Sequence, residues 1–224
     1  MLQQSLKSSH FIMGVWQGHD VDRFRLKTLV ELNAQLQRCQ QIGAIMYVHE
    51  NIAAWAPEIF LLPFVQAFRC PIEHTWIPKQ YMMLSAIKEF GEVIWLDLDS
   101  RQVAPLPDNF WSLLRSRGPV SVKLRQFRSR RCPWRKRESR CLLWTAMVYC
   151  REASIIERSI HLLANEDREH RAIYYNEEVA LARAIDDYEG GWQGLEHWQA
   201  NYELPWTETP GELWPAREKI FHCY

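Results

Sequence analysis

Apolar runs alternate with helical patterns along the first half of the chain. Residues 11–16 form an apolar run that predicts a first strand, and apolar side chains recur at helical spacing over 21–41, up to Gly43. A second strand is predicted over 44–48, a helix over 57–68, a third short strand over 72–77 and a helix over 80–90, ended by Gly91. This alternation predicts α/β architecture.

The second half of the chain repeats the alternation less regularly. Residues 93–96 are continuously apolar, as is typical of a strand buried on both faces of a parallel sheet. A short helix is predicted over 109–115, strands over 120–124 and 142–149, helices over 153–164 and 176–185, and a last strand over 219–223. At 224 residues, with no internal repeat, we expect one domain spanning 1–224.

Composition argues against several classes of protein. The polar first ten residues and the short apolar run after them predict neither a signal peptide nor a membrane span, so we expect a cytoplasmic protein. The six cysteines are scattered without a CxxC pair or zinc-finger spacing. We therefore expect reduced thiols, mostly in the core, rather than disulfides or a zinc site.

Charge is balanced over the whole chain but concentrated locally. The 27 basic and 27 acidic residues cancel, yet nine of the basic ones lie within 123–140, where Glu138 is the one acid. We call residues 123–140 the basic segment. It also carries Phe127 and Trp134, and Pro133 keeps it from forming one regular helix. Cations interleaved with aromatic rings suit a polyanionic partner, although a solvated loop without a partner is the alternative.

Two acids follow the apolar run at 93–96. Asp97 and Asp99 stand at its C-terminal end, where open α/β sheets bind their ligands. In a turn leaving the strand both carboxylates can converge on one hard divalent cation, which can also bridge the phosphates of a nucleotide. A solvated turn is the alternative, but two acids ending a buried strand require something to neutralise them.

This motif resembles the hallmark of the GT-A glycosyltransferases, an apolar strand ending in DxD. The preceding stretch, residues 78–93, also follows the order found in many of these enzymes, with Lys79 leading a helix and Glu92 just before the strand. The resemblance implies a mixed, mostly parallel sheet flanked by helices. It also implies an enzyme that moves a hexose or pentose from a nucleotide-sugar, UDP-sugar being expected, to an acceptor hydroxyl.

Three later segments extend the resemblance. Residues 142–151 are similar to a strand that carries Asn-Ser-Gly in the family, with Trp144-Thr145-Ala146 in those places here. Residues 176–178 resemble the family's acid-rich segment that faces the transferred sugar. Residues 221–223 resemble the terminal strand with the metal-binding histidine, although the Gly and Lys-Pro-Trp that usually follow it are absent.

The resemblance implies a role for each matching residue. Asp99 and His222 would bind Mn²⁺ or Mg²⁺, Asp97 would bind the cation or the ribose, and Lys79 would face the donor diphosphate or the sugar. Glu178, or Glu177 as second choice, would face the sugar as general base or as stabiliser of the developing sugar cation. The implied donor-binding residues are Gly14, Val15, Trp16, Gln17, Lys79 and Asp97.

The position of the basic segment suggests the acceptor. In a GT-A fold this segment lies beside the acceptor side of the cleft, so DNA is the first choice of acceptor, through a hydroxymethylated pyrimidine. Bacteriophages encode such base-modifying enzymes, which would place the protein in the host cell cytoplasm. The implied acceptor-binding residues are Arg128, Arg130, Arg131, Trp134, Arg135 and Arg137. Anionic glycans, lipid headgroups and proteins are the alternative acceptors.

Two other functions remain open from the sequence. Haloacid-dehalogenase-like phosphatases also carry DxD after a strand, but they usually have Thr or Val where this chain has Arg101, and their motif opens the domain. A non-catalytic nucleic-acid-binding protein on a GT-A scaffold is the second alternative, because a fold alone does not establish activity.

Overall fold

A computed structural model describes residues 9–16, 44–71, 77–97, 100–102, 108–116, 118–125, 142–165, 176–188 and 221–223. In these residues the strands are β1 (His10–Val15), β2 (Ala44–His49), β3 (Val65–Phe68), β4 (Val93–Leu96), β5 (Ser100–Gln102), β6 (Val120–Arg125), β7 (Leu142–Cys150) and β8 (Phe221–Cys223). The helices are α1 (Ile77–Phe90), α2 (Phe110–Ser116), α3 (Ala153–Asn165) and α4 (Asn176–Asp186). The helix predicted over 21–41 lies outside the described residues.

Six of the strands form one mixed sheet in the order β3-β2-β1-β4-β7-β6. β1 pairs parallel with β2 and β4, and β2 pairs parallel with β3. β7 runs antiparallel to both β4 and β6. The prediction of a mixed, mostly parallel α/β sheet is therefore confirmed.

The sheet is covered on both faces. Val93 and Trp95 pack with residues of α1, α3 and α4, while Ile94 and Leu96 pack with Phe110 of α2 and with the opposite face of β1. All four residues of β4 are buried. The apolar run at 93–96 is therefore a strand buried on both faces, as the sequence predicted. Each face of a central strand needs apolar side chains.

The helix predicted over 57–68 is wrong. A short 3-10 helix spans Pro57–Leu61, and β3 then occupies Val65–Phe68. Pro63 explains the break, because proline donates no backbone hydrogen bond and forces the preceding residue out of the helical region. Leu62 is accordingly extended, with φ −79° and ψ 135°.

The strand predicted over 72–77 is tested only at its last residue, where it is wrong. Ile77 is the first residue of α1, and residues 72–76 lie outside the described residues. β3 is the strand that pairs with β2. α1 ends at Phe90, and Gly91 follows with φ 91°, a left-handed conformation that favours glycine.

A second, two-stranded sheet was only half predicted. β8 matches the predicted terminal strand, and its antiparallel partner is β5, which the sequence did not indicate. In the part of the chain described, no helix has both the length and the apolar character that a membrane span needs.

Candidate active site

The carboxyl ends of the parallel strands meet at one edge of the sheet. Gly14 and Val15 end β1, and Asp97 is the first residue after β4. β7 runs the opposite way, with Met147 paired to Leu96, so the first half of β7 reaches the same edge. We call this edge the catalytic edge, after the catalytic role that the sequence predicts for residues beside it.

Lys79 is the centre of the cluster at this edge. It lies in the first turn of α1 with 2% of its surface exposed. Its Nζ is 3.1 Å from Asp97 Oδ1, 2.7 Å from Glu177 Oε1 and 2.8 Å from the carbonyl oxygen of Thr145. The contacts with Asp97 and Thr145 are hydrogen bonds, and the contact with Glu177 is an ion pair.

An irregularity in β7 accounts for the carbonyl group that Lys79 reaches. β6 pairs with β7 through Val122 and Val148, and the next pair is Lys123 with Trp144. β6 thus advances by one residue while β7 passes over Thr145, Ala146 and Met147. Residues skipped in this way leave the ladder with the neighbouring strand, and the Thr145 carbonyl accepts from Lys79 instead.

Asp97 is held by a second donor. The indole Nε1 of Trp95 donates to Asp97 Oδ1 over 2.6 Å, since side chains two residues apart along an extended segment point to the same face. The Trp95 ring centroid also lies 5.2 Å from Lys79 Nζ, within cation–π range. In the described residues, both hydrogen bonds to Asp97 are accepted by Oδ1 and none by Oδ2.

Burial and charge shift the ionisation of this cluster. Burial acts to lower the pKa of Lys79, but the carboxylates of Asp97 and Glu177 outweigh it and hold that pKa above its ordinary value. Burial raises the pKa of Glu177; the Lys79 ammonium opposes this rise and the Asp97 carboxylate adds to it. Two carboxylates share one ammonium, so the cluster carries excess negative charge when both are ionised.

The two glutamates at the start of α4 occupy different positions. Glu177 reaches Lys79, whereas Glu178 is buried, 6% exposed, at the next position of the helix. Neighbouring helical residues point about 100° apart. The prediction that Glu178 faces the sugar therefore stays a prediction, while Glu177 is the acid that the structure brings to Asp97.

The donor-binding candidates on β1 differ in accessibility. A Cβ at Gly14 would lie 2.5 Å from both Met82 Sδ and Trp95 Cη2, so the glycine is needed for the close packing of Trp95. Val15 is buried, and Trp16 is partly exposed with its ring centroid 6.1 Å from that of Trp95. The Trp16 carbonyl accepts from Asn51 Nδ2 over 3.3 Å. Gln17 lies outside the described residues.

The structure describes only part of the predicted metal site. Asp99 and the side chain of His222 lie outside the described residues, and the residues that are described contain no group of three potential metal ligands. The backbone nevertheless pairs His222 with Arg101, two residues after Asp99. Paired strands lie about 5 Å apart, so the C-terminal strand runs beside the chain that leaves the acidic motif.

The basic segment joins the sheet at the catalytic edge. β6 ends at Arg125 and β7 begins at Leu142, and these two residues are paired beyond the point where Lys79 contacts β7. The six predicted acceptor-binding residues between them lie outside the described residues. They are Arg128, Arg130, Arg131, Trp134, Arg135 and Arg137.

Two residues of the site were not found from the sequence. Trp95 could have been found, because it stands two positions before Asp97 in an extended run and a buried indole N–H needs an acceptor. The Thr145 carbonyl had no sequence signal, since it depends on the irregular pairing of β6 with β7.

The mixed sheet, with its reversed β7, is of the GT-A type. No protein-family model and no curated protein matches its sequence. Among solved structures, the apo crystal structure of mouse xyloside xylosyltransferase 1 is similar to it. The TM-score is 0.50 over 97% of this chain and 98% of that chain, at 10% identity. At this identity the similarity shows the fold alone.

Proposed function

We propose that the protein is a metal-dependent glycosyltransferase that moves a sugar from a nucleotide-sugar, UDP-sugar in the first place, to an acceptor hydroxyl. The observation that carries the proposal is the Lys79–Asp97–Glu177 cluster at the catalytic edge. A buried ion cluster is costly to desolvate, so it needs a reason beyond stability. Its place, at the carboxyl ends of parallel strands, is where α/β sheets bind nucleotides.

The donor set fits a divalent cation. Asp97 Oδ1 is occupied by Trp95 and Lys79, which leaves Oδ2 as a hard oxygen ligand, and two carboxylates exceed the single ammonium in charge. We assign Asp97, Asp99 and His222 to Mn²⁺ or Mg²⁺. When bound, the cation would act as a Lewis acid on the departing diphosphate.

The other residues of the cluster hold and orient. Lys79 keeps both carboxylates in place and offsets part of their charge, so we assign it an electrostatic role beside the donor. Gly14, Val15, Trp16 and Gln17 are assigned to the nucleoside side, where partly exposed Trp16 offers a flat ring for a base. Glu178, with Glu177 as the alternative, is assigned to the sugar.

The metal requirement and the transfer reaction can be tested together. We expect the wild type to hydrolyse or transfer from a UDP-sugar in Mn²⁺, and EDTA to abolish this. Asp97→Asn should lower donor affinity, measured by calorimetry with UDP and Mn²⁺. Asp187→Asn is the matched control. Asp187 forms an exposed ion pair with Arg158 just after the C-terminal end of α4, whereas Glu177 lies at the start of that helix. Activity that persists in EDTA would contradict the metal dependence.

DNA is the acceptor we propose first, through the basic segment and a hydroxymethylated pyrimidine. The attachment of this segment at the catalytic edge supports the proposal. If its arginines contact phosphates, DNA affinity should fall steeply with salt, because each neutralised phosphate releases counterions. Replacing Arg128, Arg130 and Arg135 by Gln should flatten the logarithmic slope by about 0.7–0.9 for each phosphate that is no longer neutralised.

Arg151→Gln is the control for this series, since Arg151 is exposed and follows β7 at the opposite edge of the sheet. Mass spectrometry of hydroxymethylated oligonucleotides after incubation with nucleotide-sugars measures transfer. Absence of DNA binding at low salt, or unaltered transfer in the triple variant, would remove DNA as the acceptor.

A second acceptor class is favoured by a separate observation. The similar structure is of a xyloside xylosyltransferase, a name that describes pentose transfer to a sugar glycoside. A glycan acceptor with UDP-xylose as donor is therefore the second candidate for this chain. The same mass spectrometric assay with glycoside acceptors distinguishes the two acceptor classes. Donor hydrolysis without transfer to either class would support the nucleotide-sugar donor but neither acceptor.

A further inference from the structure

Trp95 makes one polar contact with the acidic motif, and the roles assigned above give Trp95 itself no function. Its side chain is wholly buried, yet its indole N–H points to the sheet edge and donates to Asp97 Oδ1 over 2.6 Å. Asp97 is the most exposed member of the cluster, with 37% of its side chain accessible. A rigid, buried donor thus holds a carboxylate that faces solvent.

Only one of the two carboxylate oxygens is held. Lys79 Nζ also contacts Oδ1, so that atom accepts from two donors, and Oδ2 receives none among the described residues. A carboxylate fixed through one oxygen cannot rotate freely about its last torsion. Oδ2 is therefore presented in one direction, and Asp97 can offer a ligand one oxygen rather than two.

The surroundings of Trp95 prevent the ring itself from moving. Its Cη2 would be 2.5 Å from a Cβ at position 14, so the ring lies against the glycine backbone of β1. Trp16 and the ammonium of Lys79 lie against the ring as well. A ring that is packed in this way holds its hydrogen-bond partner, the Asp97 carboxylate, in a fixed position.

We propose that Trp95 is a positioning residue for Asp97, which fixes Oδ1 so that Oδ2 alone is presented to the cation or ribose of the donor. This inference deepens the proposed function, and the part of the inference that concerns donor binding rests on that function. The statement about Asp97 orientation does not, because it concerns the protein without any ligand.

The test replaces the indole by an isostere. Benzothienylalanine at position 95 keeps the size and shape of tryptophan but has sulfur in place of the N–H group. The free energy of a hydrogen bond to a charged group corresponds to about tenfold in an equilibrium constant, which sets the scale of the affinity loss when that bond holds Asp97 in its binding orientation. We expect the binding of UDP in the presence of Mn²⁺, measured by calorimetry, to weaken by about tenfold, and the melting temperature to fall no further than in the control variant below.

Tyr149→Phe is the matched control. It also deletes a buried side-chain hydrogen bond on the central sheet, from Tyr149 to Glu92, but at the edge opposite the site. It should lower stability and leave UDP–Mn²⁺ affinity unchanged. Trp95→Phe in an Asp97→Ala background should have no further effect on affinity, because a residue that acts through Asp97 has nothing left to position.

A crystal structure of the isostere variant separates this proposal from the function itself. We expect the Asp97 carboxylate to rotate or to become disordered between orientations. A carboxylate unchanged in position would overturn the positioning role, whatever the protein binds. A rotated carboxylate in a protein that binds no UDP with Mn²⁺ would uphold the positioning role and contradict the proposed function. Unaltered UDP–Mn²⁺ affinity in the isostere, in a wild type that binds it, would also overturn the proposal.

Discussion

At the scale of single residues, Lys79 is a buried cation between two carboxylates. Replacing it by methionine keeps most of the side-chain volume and leaves Asp97 and Glu177 without their shared counterion. Breaking a buried pair by removing one partner costs about 3 kcal/mol or more. We expect Lys79→Met to lower the free energy of unfolding in urea by about that amount.

The exposed pair on the same helix is the control for Lys79. Lys88 contacts Glu157 over 2.8 Å, with 58% and 50% of the two side chains exposed. Surface pairs contribute about 0–1 kcal/mol, so Lys88→Met should be close to neutral. In a Glu177→Gln background the loss on Lys79→Met should shrink, because one carboxylate no longer needs a counterion. Equal stability of the two lysine variants would show that Lys79 is not electrostatically required.

Glu177 and Glu178 give a second comparison at this scale. A group that acts in the transition state affects rate more than affinity, so Glu178→Gln should keep donor affinity and lower kcat by about 100-fold. Glu177→Gln retains an oxygen that can accept from Lys79, and a smaller loss of kcat is expected. Steady-state kinetics with a UDP-sugar measure both. A larger loss of kcat in Glu177→Gln would show that Glu177 is the catalytic carboxylate. Wild-type kcat in both variants would show that the two glutamates only cap the helix.

At the scale of elements, the junction between α1 and β4 aligns the two parts of the site. Lys79 lies at the start of α1, and Asp97 directly follows β4. Gly91 closes the helix with φ 91°, and its N–H donates to the Ile87 carbonyl over 2.8 Å. A side chain in a left-handed conformation costs about 1–2 kcal/mol, so Gly91→Ala should destabilise by about that amount in urea.

Asparagine tolerates this conformation better than alanine does. Gly91→Asn should therefore lose less stability than Gly91→Ala. If the two variants unfold at the same urea concentration, crowding rather than backbone conformation is responsible for the loss.

At the scale of the whole molecule, another buried carboxylate, Glu92, lies at the edge opposite the site. Glu92 accepts from Arg115 of α2 in a two-nitrogen contact, from Tyr149 of β7 and from Ser9 before β1. It thereby joins three separate parts of the chain. Burial acts to raise the pKa of Glu92, but the bonds from Arg115, Ser9 and Tyr149 outweigh it and hold that pKa below its ordinary value.

A lowered pKa defines how stability depends on pH. The stabilisation from ionised Glu92 is complete above the pKa of an unfolded glutamate, about 4.3, and is lost as the pH falls through the lower pKa of the folded state. Glu92→Gln should cost about 2 kcal/mol at pH 7, and the difference from wild type should narrow below pH 4. UDP–Mn²⁺ affinity should be unaffected, because Glu92 lies at the far edge. Urea unfolding from pH 3 to 7 measures the free energy of unfolding of both proteins. A difference between them that stays constant over this range would contradict this account.

Local patterns determined much of the fold from the sequence alone. The apolar run at 93–96 matches β4 residue for residue, and the predicted helix over 153–164 differs from α3 by one residue. Gly91 after α1 and Asp97 after β4 were also in the expected places. These features depend on neighbours within one or two turns of chain, which periodicity and backbone preference describe directly.

Tertiary structure decided the site. Lys79 meets Asp97 across 18 positions and the Thr145 carbonyl across 66, and no local pattern measures such separations. Pro63 ends the helix predicted over 57–68, but the strand that residues 65–68 then form depends on their pairing with β2. The sequence by itself determined which acids end a buried strand. Only the packing of α1, β7 and α4 around that strand decided that Asp97 and Glu177 share one ammonium, because burial of charge is settled by partners brought together in space.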